Sequence, residues 1–408
     1  MFVTNILLPR PWKLYNLINA RCRPSRTDWT QISKVLAAYD LGQLRGSRRP
    51  AIGPSRSRNL ILDFGDGPKV LKQYKSSMSF EGIIYEHSVL KRLADGNFPS
   101  PRLIPNKQGE TCLEMEGRYY ALFDFIPGFK YTDYFVCAGR KRLFLAEAGR
   151  TLSRYHQIID GFVPAGRKLD GFMPDGQRRW RDQGWYLDGF AKYKALFEAK
   201  DGKSRLDQFF ADNLGRLEQC YVDLNQRVGG YFSQLPKVVN HGDYGPHNLI
   251  FSDNRMVAVL DFECVHLHLR VTDVIIALQF FAGRKVGFDY KAAMIFLEAY
   301  SSLYPLMAEE IELIPDIFRL ILLEGLIYRF RDYFDLGNLL KLRYAGMTVA
   351  WLDWTEENGN DLIRALLAFK SKVQRPYSIA LPSAVLQEGP NLIVEDNHAC
   401  SNDGRLSL

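Results

Sequence analysis

The sequence predicts an α+β protein in which strands paired in hairpins come before a mainly helical part. Residues 59–64 alternate apolar and polar side chains, turn at Gly65-Asp66-Gly67 and continue through Val70-Leu71-Lys72, which is typical of a β-hairpin. Segments 80–95 and 141–159 then carry apolar residues at helical spacing. At 408 residues the chain is long enough for two lobes with their own cores.

A second predicted hairpin has polar side chains at its ends. Two short apolar runs, 249–251 and 256–260, are separated by residues that favour turns. If the centre of the hairpin lies at the Asn254–Arg255 bond, Asn248 faces Asp261 across the strands, with Cβ atoms about 4.5–5.5 Å apart. An amide oxygen and a carboxylate suit Mg²⁺, which takes one or two protein oxygens and completes its shell with water and phosphate.

Asp243 precedes this hairpin on a loop that Gly242, Gly245 and Pro246 are expected to bend sharply. A carboxylate just ahead of a metal site can accept a hydroxyl proton while the metal holds a phosphoryl donor. An aspartate, four residues, an asparagine and then a strand-end Asp-Phe is the order of the catalytic and metal loops of kinases. The alternative is an ordinary surface hairpin with polar ends, and the coincidence of these identities disfavours it.

The motif His241-Gly242-Asp243, followed after four residues by Asn248, resembles the hallmark of the aminoglycoside phosphotransferase-like superfamily of small-molecule kinases. Its surroundings look most like homoserine kinase type II and its spore-coat-associated (CotS-like) relatives. Asp261-Phe262-Glu263 stands in place of Asp-Phe-Gly, which points away from protein substrates. The resemblance implies a bilobal protein-kinase-like fold, with an antiparallel sheet and one helix in the N-lobe and a mainly helical C-lobe.

A lysine and a glutamate are expected to bind the nucleotide. Lys72 ends a Val-Leu-Lys run similar to the Val-Ala-Ile-Lys strand of kinases. The next predicted helix, with Ser79 as a plausible N-cap, carries Glu86. Each charge alone would usually be a solvated surface residue. In this order they indicate that Glu86 holds Lys72 against the α- and β-phosphates of ATP.

Two further segments are expected to contact the nucleotide. The chain has no G-x-G-x-x-G motif before the first hairpin, and the resemblance makes Ser57 and Asn59 candidates for the phosphate-covering turn. The resemblance also identifies the segment before Pro127-Gly128 as the hinge. The residues whose backbone groups would bind the adenine edge are Asp124, Phe125 and Ile126. A strand that only fills the core is the alternative for this aromatic segment.

Two residues are expected, by the resemblance, to support the catalytic loop. His241 would hold this loop and the metal-binding segment, and Asp273 would hydrogen-bond the loop from the start of a helix. An N-cap role for Asp273 is compatible with this function. His266 and His268 could indicate a transition-metal site, but their spacing of two residues on a loop makes that the less favoured interpretation.

The acceptor pocket is expected, by the resemblance, in the helices at about 275–360. This region holds twelve acidic and eight basic residues, a balance that would tolerate an amine. An arginine on the helix that carries Tyr328, Arg329 and Arg331 could clamp a carboxylate, so an amino-acid-like alcohol such as homoserine would use both signs of charge. His247 is expected to face the acceptor or solvent. The alternative is that these charges form the solvated face of a helix.

Composition is that of a soluble globular protein, with 47% hydrophobic and 24% charged residues. No apolar run is long enough to span a bilayer, so no transmembrane segment is expected. Six cysteines without a C-x-x-C pair suggest neither a zinc site nor a disulfide framework, and a reducing cytoplasm is the expected location.

The predicted domains are a basic extension over 1–40, an N-lobe over 41–128, a C-lobe over 129–370 and a tail over 371–408. Residues 1–60 hold eleven Lys or Arg against two acidic residues, whereas the remainder is slightly acidic. The positive charge therefore belongs to the N-terminal segment, and no nucleic-acid partner is expected. Packing of the extension on or near the N-lobe is the preferred interpretation, and transient binding to acidic surfaces is the weaker one.

Together these features predict an ATP- and Mg²⁺-dependent phosphotransferase that moves the γ-phosphoryl group to a hydroxyl of a small molecule. A homoserine-like amino alcohol, an amino sugar or a similar compound is the expected acceptor. The alternative is a catalytically silent kinase fold that binds nucleotide or a partner. The residues that argue against the silent fold are Lys72, Glu86, Asp243, Asn248 and Asp261, because such a fold has no chemical need for all of them.

Overall fold

The computed structural model describes residues 29–48, 58–130, 140–168 and 183–373. The strands are β1 (Leu44–Arg48), β2 (Arg58–Phe64), β3 (Gly67–Gln73), β4 (Leu103–Ile104), β5 (Leu113–Met115), β6 (Arg118–Asp124), β7 (Phe129–Lys130), β8 (Lys237–Asn240), β9 (Leu249–Ser252), β10 (Arg255–Val259) and β11 (His266–Leu269). The helices are α1 (Trp29–Ala37), α2 (Phe80–Asp95), α3 (Lys141–Ile159), α4 (Gln183–Ala199), α5 (Arg205–Gly229), α6 (Arg270–Ala282), α7 (Tyr290–Ser301), α8 (Ala308–Glu312), α9 (Ile314–Phe334) and α10 (Leu339–Val373).

The N-terminal strands form an antiparallel sheet in the order β1-β2-β3-β6-β4, and β5 pairs with the other part of β6. Alternate residues of β6 point to opposite faces, as the period of a strand requires. Tyr120 and Leu122 pack in a core with Val35 of α1, whereas Ala121 and Phe123 pack in the main core. The sheet is therefore covered on both faces.

Helix α1 lies within the predicted basic extension, of which residues 1–28 are outside the described residues. Its Val35 is fully buried, and Tyr39 just after the helix is 2% exposed, both against the sheet. The boundary at residue 40 stays a prediction, as do those at 128 and 370. Helix α10 continues to Val373, and residues 374–408 lie outside the described part of the chain.

Helix α2 presents its buried face to the sheet. Ser79 caps its start, because the Ser79 side chain accepts a hydrogen bond from the Gly82 amide at 3.1 Å. The residues buried on the helix include Ile83, Glu86 and Val89, so a carboxylate enters the core beside the sheet. The predicted hairpin β2–β3 pairs Asn59 with Lys72.

Helix α3 lies at the centre of the helical part and packs against α7. Its predicted apolar face is largely buried, but Leu143 is 42% exposed and Phe144 takes the buried position. A Cβ at Gly149 would overlap the backbone oxygen of Phe296, so this glycine lets the two helices approach closely. Within the described residues no helix is long and apolar enough to cross a membrane.

The second hairpin, β9–β10, differs from its predicted register. Ser252 pairs with Arg255, so the turn consists of Asp253 and Asn254, with φ angles of 47° and 64°. Asp and Asn tolerate this left-handed conformation, which favours a two-residue turn centred between them. After a bulge in β10, the Leu260 amide donates to the Asn248 backbone oxygen at 2.8 Å. The predicted opposition of Asn248 and Asp261 was therefore wrong by one residue.

Helix α6, which carries Asp273, is anchored at its first residue by a buried ion pair. Arg270 Nε donates to Glu310 Oε1 at 3.1 Å, and the two side chains are 3% and 0% exposed. Arg270 Nη2 also donates to the Pro305 backbone oxygen at 3.2 Å. This pair joins the start of α6 to α8.

We expect Arg270→Met to lower the free energy of unfolding by about 3–5 kcal/mol, because the variant leaves a buried Glu310 carboxylate without its cation. Urea unfolding of the purified proteins measures the change. The double variant with Glu310→Leu should recover part of the loss, since it removes the unpaired charge. A single variant as stable as the native protein would show that the pair does not anchor α6.

Candidate active site

The loop after β8 is held by a buried carboxylate on α6. Asp273 Oδ2 accepts a hydrogen bond from the His241 amide at 2.6 Å, and Oδ1 accepts one from the Gly242 amide at 2.9 Å. Gly242 has φ 78°, and a Cβ there would lie 2.5 Å from the Cys264 backbone oxygen. Only glycine fits this turn, which brings the loop against the segment after β10.

Asp273 is itself held by His156 on α3, a contact that the sequence does not predict. His156 Nε2 lies 3.2 Å from Asp273 Oδ2, and His156 Nδ1 lies 2.8 Å from the Tyr300 hydroxyl. A carboxylate only accepts, so Nε2 carries the proton and Nδ1 accepts from the tyrosine. Burial alone would raise the pKa of Asp273, but the hydrogen bond from His156 and the electrostatic interactions with the His156 and His241 rings lower that pKa below its usual range.

His241 connects the loop to the metal-binding segment predicted from the sequence. Its ring Nε2 donates to the Leu260 backbone oxygen at 3.1 Å, and the Asp243 amide donates to its Nδ1 at 3.3 Å. Leu260 directly precedes Asp261. The histidine thus fixes the spacing between Asp243 and Asp261, the geometry that its predicted supporting role requires.

Asn248 ends a short 3-10 helix, Pro246–Asn248, and faces Asp243. Its Nδ2 donates to the backbone oxygen of Asp243 at 2.9 Å and to Asp243 Oδ2 at 3.1 Å. This fixes the orientation of the amide and leaves Oδ1 as the atom that can accept or coordinate. Asn248, five positions after Asp243, thus contacts this predicted base directly.

Asp261 adopts an unusual backbone conformation, with φ 66° and ψ 67°. Asp tolerates this left-handed region, and non-glycine residues that adopt it often occur at functional sites. Burial raises the pKa of Asp261, and the charge of Lys72 opposes this rise, while Glu263 and Asp243 increase it. The predicted base, the predicted metal ligand and the predicted phosphate-binding lysine therefore belong to one electrostatic cluster.

Lys72 is buried between two carboxylates. Its Nζ lies 2.9 Å from Glu86 Oε1 and 3.1 Å from Glu263 Oε1. Burial alone would lower the pKa of Lys72, but the charges of Glu86, Glu263 and Asp261 raise that pKa above its usual value. The sequence predicts the pair with Glu86 but not the one with Glu263. Glu263 occupies the place of glycine in Asp-Phe-Gly, and that departure was the available signal.

The remaining nucleotide candidates differ in their surroundings. Ser57 lies outside the described residues, and Asn59 has a buried Oδ1 that accepts no hydrogen bond from the part of the chain that the structure describes. The Asp124 amide donates to the Arg102 backbone oxygen at 3.0 Å, so this group is already used. The contacts of Asp124, Phe125 and Ile126 with the adenine edge stay predictions, and Phe125 and Ile126 are half-buried in the connection to β7.

The structure separates the acceptor candidates on α9. Arg331 lies 3.0 Å from Asp332 Oδ1 and stacks on the Tyr328 ring, with its guanidinium carbon 5.4 Å from the centroid. Arg329 makes no hydrogen bond or ion pair with any residue that the structure describes, and burial lowers its pKa to about 10. His247, predicted to face the acceptor or solvent, is 29% exposed and contacts Asp243, with Nε2 3.0 Å from Oδ2.

The donor set fits Mg²⁺ better than a transition metal. Asn248 Oδ1 and the Asp261 carboxylate are hard oxygen ligands, and a magnesium site of this kind leaves the other positions to water and phosphate oxygens. The rings of His266 and His268 lie 5.5 Å apart. Among the described residues, however, no group of three or more His, Cys, Asp or Glu side chains has metal-binding geometry. The transition-metal interpretation therefore gains no support.

Replacing Asp273 with asparagine is expected to lower the free energy of unfolding at pH 7 by about 1.5–3 kcal/mol, because hydrogen bonds to a charged group are lost. The folded-state pKa of Asp273 is lowered. Its contribution is therefore present above the unfolded pKa of about 3.9 and is lost as the pH falls through the folded pKa. Urea unfolding at several pH values should show the difference shrinking below about pH 4; a constant difference would contradict this account.

Comparison with known proteins identifies relatives by sequence and by fold. Homoserine kinases from Caulobacter vibrioides (strain NA1000 / CB15N) and Phenylobacterium zucineum (strain HLK1) are each 26% identical to this chain. The matches cover 74% of this chain and 87% and 82% of those proteins. An aminoglycoside phosphotransferase from Alicyclobacillus acidocaldarius has a similar fold, with a TM-score of 0.57 and 14% identity over 84% of this chain and 98% of that chain.

A microcompartment-associated aminopropanol kinase also shares the fold, with a TM-score of 0.57 and 15% identity over 82% of this chain and 98% of that chain. These structural matches confirm the predicted bilobal α+β fold. The model of the phosphotransferase enzyme family (APH) matches residues 49–309, more than half of the chain. The chain therefore belongs to this family, and the protein is a small-molecule kinase.

Proposed function

We propose that the protein transfers the γ-phosphoryl group of ATP to a hydroxyl of a small molecule, with Mg²⁺ as the metal. The observation that carries the proposal is the shared site of base and ligands. Asn248 Nδ2 lies 3.1 Å from Asp243 Oδ2, and the charges of Asp243 and Lys72 both act on Asp261. A small-molecule kinase needs these groups within the reach of one nucleotide.

The chain positions the reactants and neutralises charge, because phosphoryl transfer has a loose transition state that needs little covalent help. Lys72, held by Glu86, would contact the α- and β-phosphates. Asn248 and Asp261 would hold Mg²⁺, which when bound offsets charge on the β- and γ-phosphates. Asp243 would orient the acceptor hydroxyl and take its proton late. The acceptor oxygen bonds to the γ-phosphorus as the bond to the ADP oxygen breaks.

A carboxylate on the acceptor would explain the isolated position of Arg329. The carboxylate of Asp332, whose charge acts on Arg329, is already bound by Arg331 and by Lys341, whose Nζ lies 3.3 Å from Asp332 Oδ2. The guanidinium packs over Gly325, and a Cβ there would overlap Arg329 Nη1. A half-buried cation without an ion-pair partner among the described residues favours an anionic ligand at this place.

Tyr344 on α10 adds a second donor near Arg329. Its hydroxyl is buried and makes no hydrogen bond with any of the described residues, and the charge of Arg329 opposes the rise that burial causes in the pKa of Tyr344. A guanidinium and a hydroxyl together can bind a carboxylate. The matched relatives named homoserine kinases agree with an amino-acid-like alcohol. We therefore favour an acceptor of the homoserine type over an amino sugar.

Two aspartate variants test the proposed chemistry. Asp243→Ala should lower kcat by about 10²–10⁴-fold, the usual contribution of a general base, while nucleotide affinity stays within about twofold. Asp261→Ala should weaken magnesium-nucleotide binding at least about tenfold, because it removes a metal ligand. ADP formation is measured with hydroxylated amino acids, amino sugars, choline and thiamine as acceptors, and affinity with a non-hydrolysable ATP analogue. Unchanged turnover in purified Asp243→Ala would overturn the assignment.

Arg329→Met tests whether Arg329 binds a carboxylate of the acceptor. Homoserine and 3-aminopropan-1-ol differ only in the carboxylate group, so the ratio of their kcat/KM values isolates its recognition. The variant should lower kcat/KM for homoserine about 30-fold or more, as expected for the loss of a buried charged pair. The kcat/KM value for 3-aminopropan-1-ol should change less than about threefold.

The exposed Arg343 on α10 provides a matched control. Arg343→Met removes the same charge from the neighbouring helix and should leave the ratio of the two kcat/KM values unchanged. Equal losses for both acceptors in Arg329→Met would show that this arginine acts on folding rather than on the carboxylate.

A further inference from the structure

The two oxygens of the Asp243 carboxylate have different surroundings. Oδ2 lies 3.1 Å from Asn248 Nδ2 and 3.0 Å from His247 Nε2. A carboxylate at neutral pH only accepts hydrogen bonds, so His247 Nε2 must carry a proton. Oδ1 accepts no hydrogen bond from any residue that the structure describes. Oδ2 thus accepts two hydrogen bonds, and Oδ1 is left for a ligand.

The His247 ring is confined by its neighbours. The edge of the Phe280 ring packs against it, with ring centroids 5.0 Å apart. A Cβ at Gly245 would lie 2.7 Å from His247 Cε1 and 2.9 Å from Phe280 Cδ2, so only glycine admits both rings. The side chains of His247 and Asp243 are 29% and 33% exposed, which leaves the pair open to the solvent or to a bound acceptor.

We infer that His247 is a positioning residue for Asp243, whose Nε2–H holds Oδ2 so that Oδ1 alone receives the proton of the acceptor. This inference rests on the proposed function. The terminal torsion of an aspartate is broad and nearly two-fold, so one donor alone leaves the two oxygens free to exchange places. Two donors on one oxygen fix the plane of the carboxylate and aim the other oxygen at the hydroxyl.

The proton path follows from this arrangement. The acceptor O–H bond breaks as its proton passes to Asp243 Oδ1, and the oxygen keeps the electron pair that forms the new bond to phosphorus. The bond between the γ-phosphorus and the ADP oxygen breaks and its electrons leave with ADP. His247 keeps its Nε2 proton throughout. The partly exposed Asp243 can then release its proton to water.

Two substitutions separate positioning from acceptor binding. His247→Gln keeps an N–H donor that can reach Oδ2, whereas His247→Leu removes it. Because a misplacement of about 1 Å can cost about 10²-fold in rate, we expect the leucine variant to lose about 10²-fold in kcat, and the glutamine variant to stay within about tenfold of native. The KM values for ATP and for the acceptor should change by less than about threefold in both.

Other outcomes overturn the inference. A raised acceptor KM with unchanged kcat would make His247 an acceptor contact. Equal losses in both variants, accompanied by weaker binding of an ATP analogue, would indicate a purely structural role. Gly245→Ala provides a second test that keeps the histidine: its Cβ would displace the ring, and the variant should lose kcat as the leucine variant does.

The tautomer of His247 can be read without any turnover. Long-range proton–nitrogen NMR spectra of the ¹⁵N-histidine-labelled protein, assigned with His247→Gln, report which ring nitrogen carries the hydrogen. We expect Nε2–H in the neutral ring, and a neutral ring protonated only on Nδ1 would overturn the inference. If the native protein phosphorylates none of the acceptors tested, the proposed function fails, and the NMR result still decides the role of the Asp243–His247 hydrogen bond.

Discussion

The buried carboxylate of Asp273 is the constraint on which the site depends. It accepts hydrogen bonds from the backbone amides of His241 and Gly242. These bonds fix the start of the loop that carries Asp243 and Asn248. An unpaired buried carboxylate would be strongly destabilising. If the loop left this position, the Asp273 carboxylate would lose its hydrogen bonds or become exposed. The loop geometry is therefore coupled to the stability of the surrounding helices.

Three elements converge on this carboxylate. Helix α6 carries it and is anchored by the Arg270–Glu310 pair, α3 contributes His156, and α7 contributes the hydroxyl of Tyr300 that orients His156. On the other side of the loop, the His241 ring reaches the backbone just before Asp261. The helical part thus acts as a rigid support for the loop, and the lysine and glutamate from the sheet and α2 complete the site.

Local patterns predicted much of this arrangement. The order of Lys72, Glu86, Asp243, Asn248 and Asp261 was readable from motifs, and the pair of Lys72 with Glu86 is present at 2.9 Å. The register of β9–β10 was mispredicted, because a bulge and a turn at Asp253-Asn254 shift it. The contact of His156 with Asp273 joins residues 117 positions apart, and that of His247 with Asp243 depends on side-chain rotamers. Sequence periodicity carries neither kind of information.

The position of the metal tests the account most directly. Crystals grown with Mn²⁺ and a non-hydrolysable ATP analogue would reveal the metal by its anomalous scattering. We expect a peak bonded to Asn248 Oδ1 and to the Asp261 carboxylate, with phosphate oxygens completing its shell and Asp243 beside the γ-phosphate. A nucleotide bound with its metal elsewhere, or with Asn248 and Asp261 both uncoordinated, would contradict it.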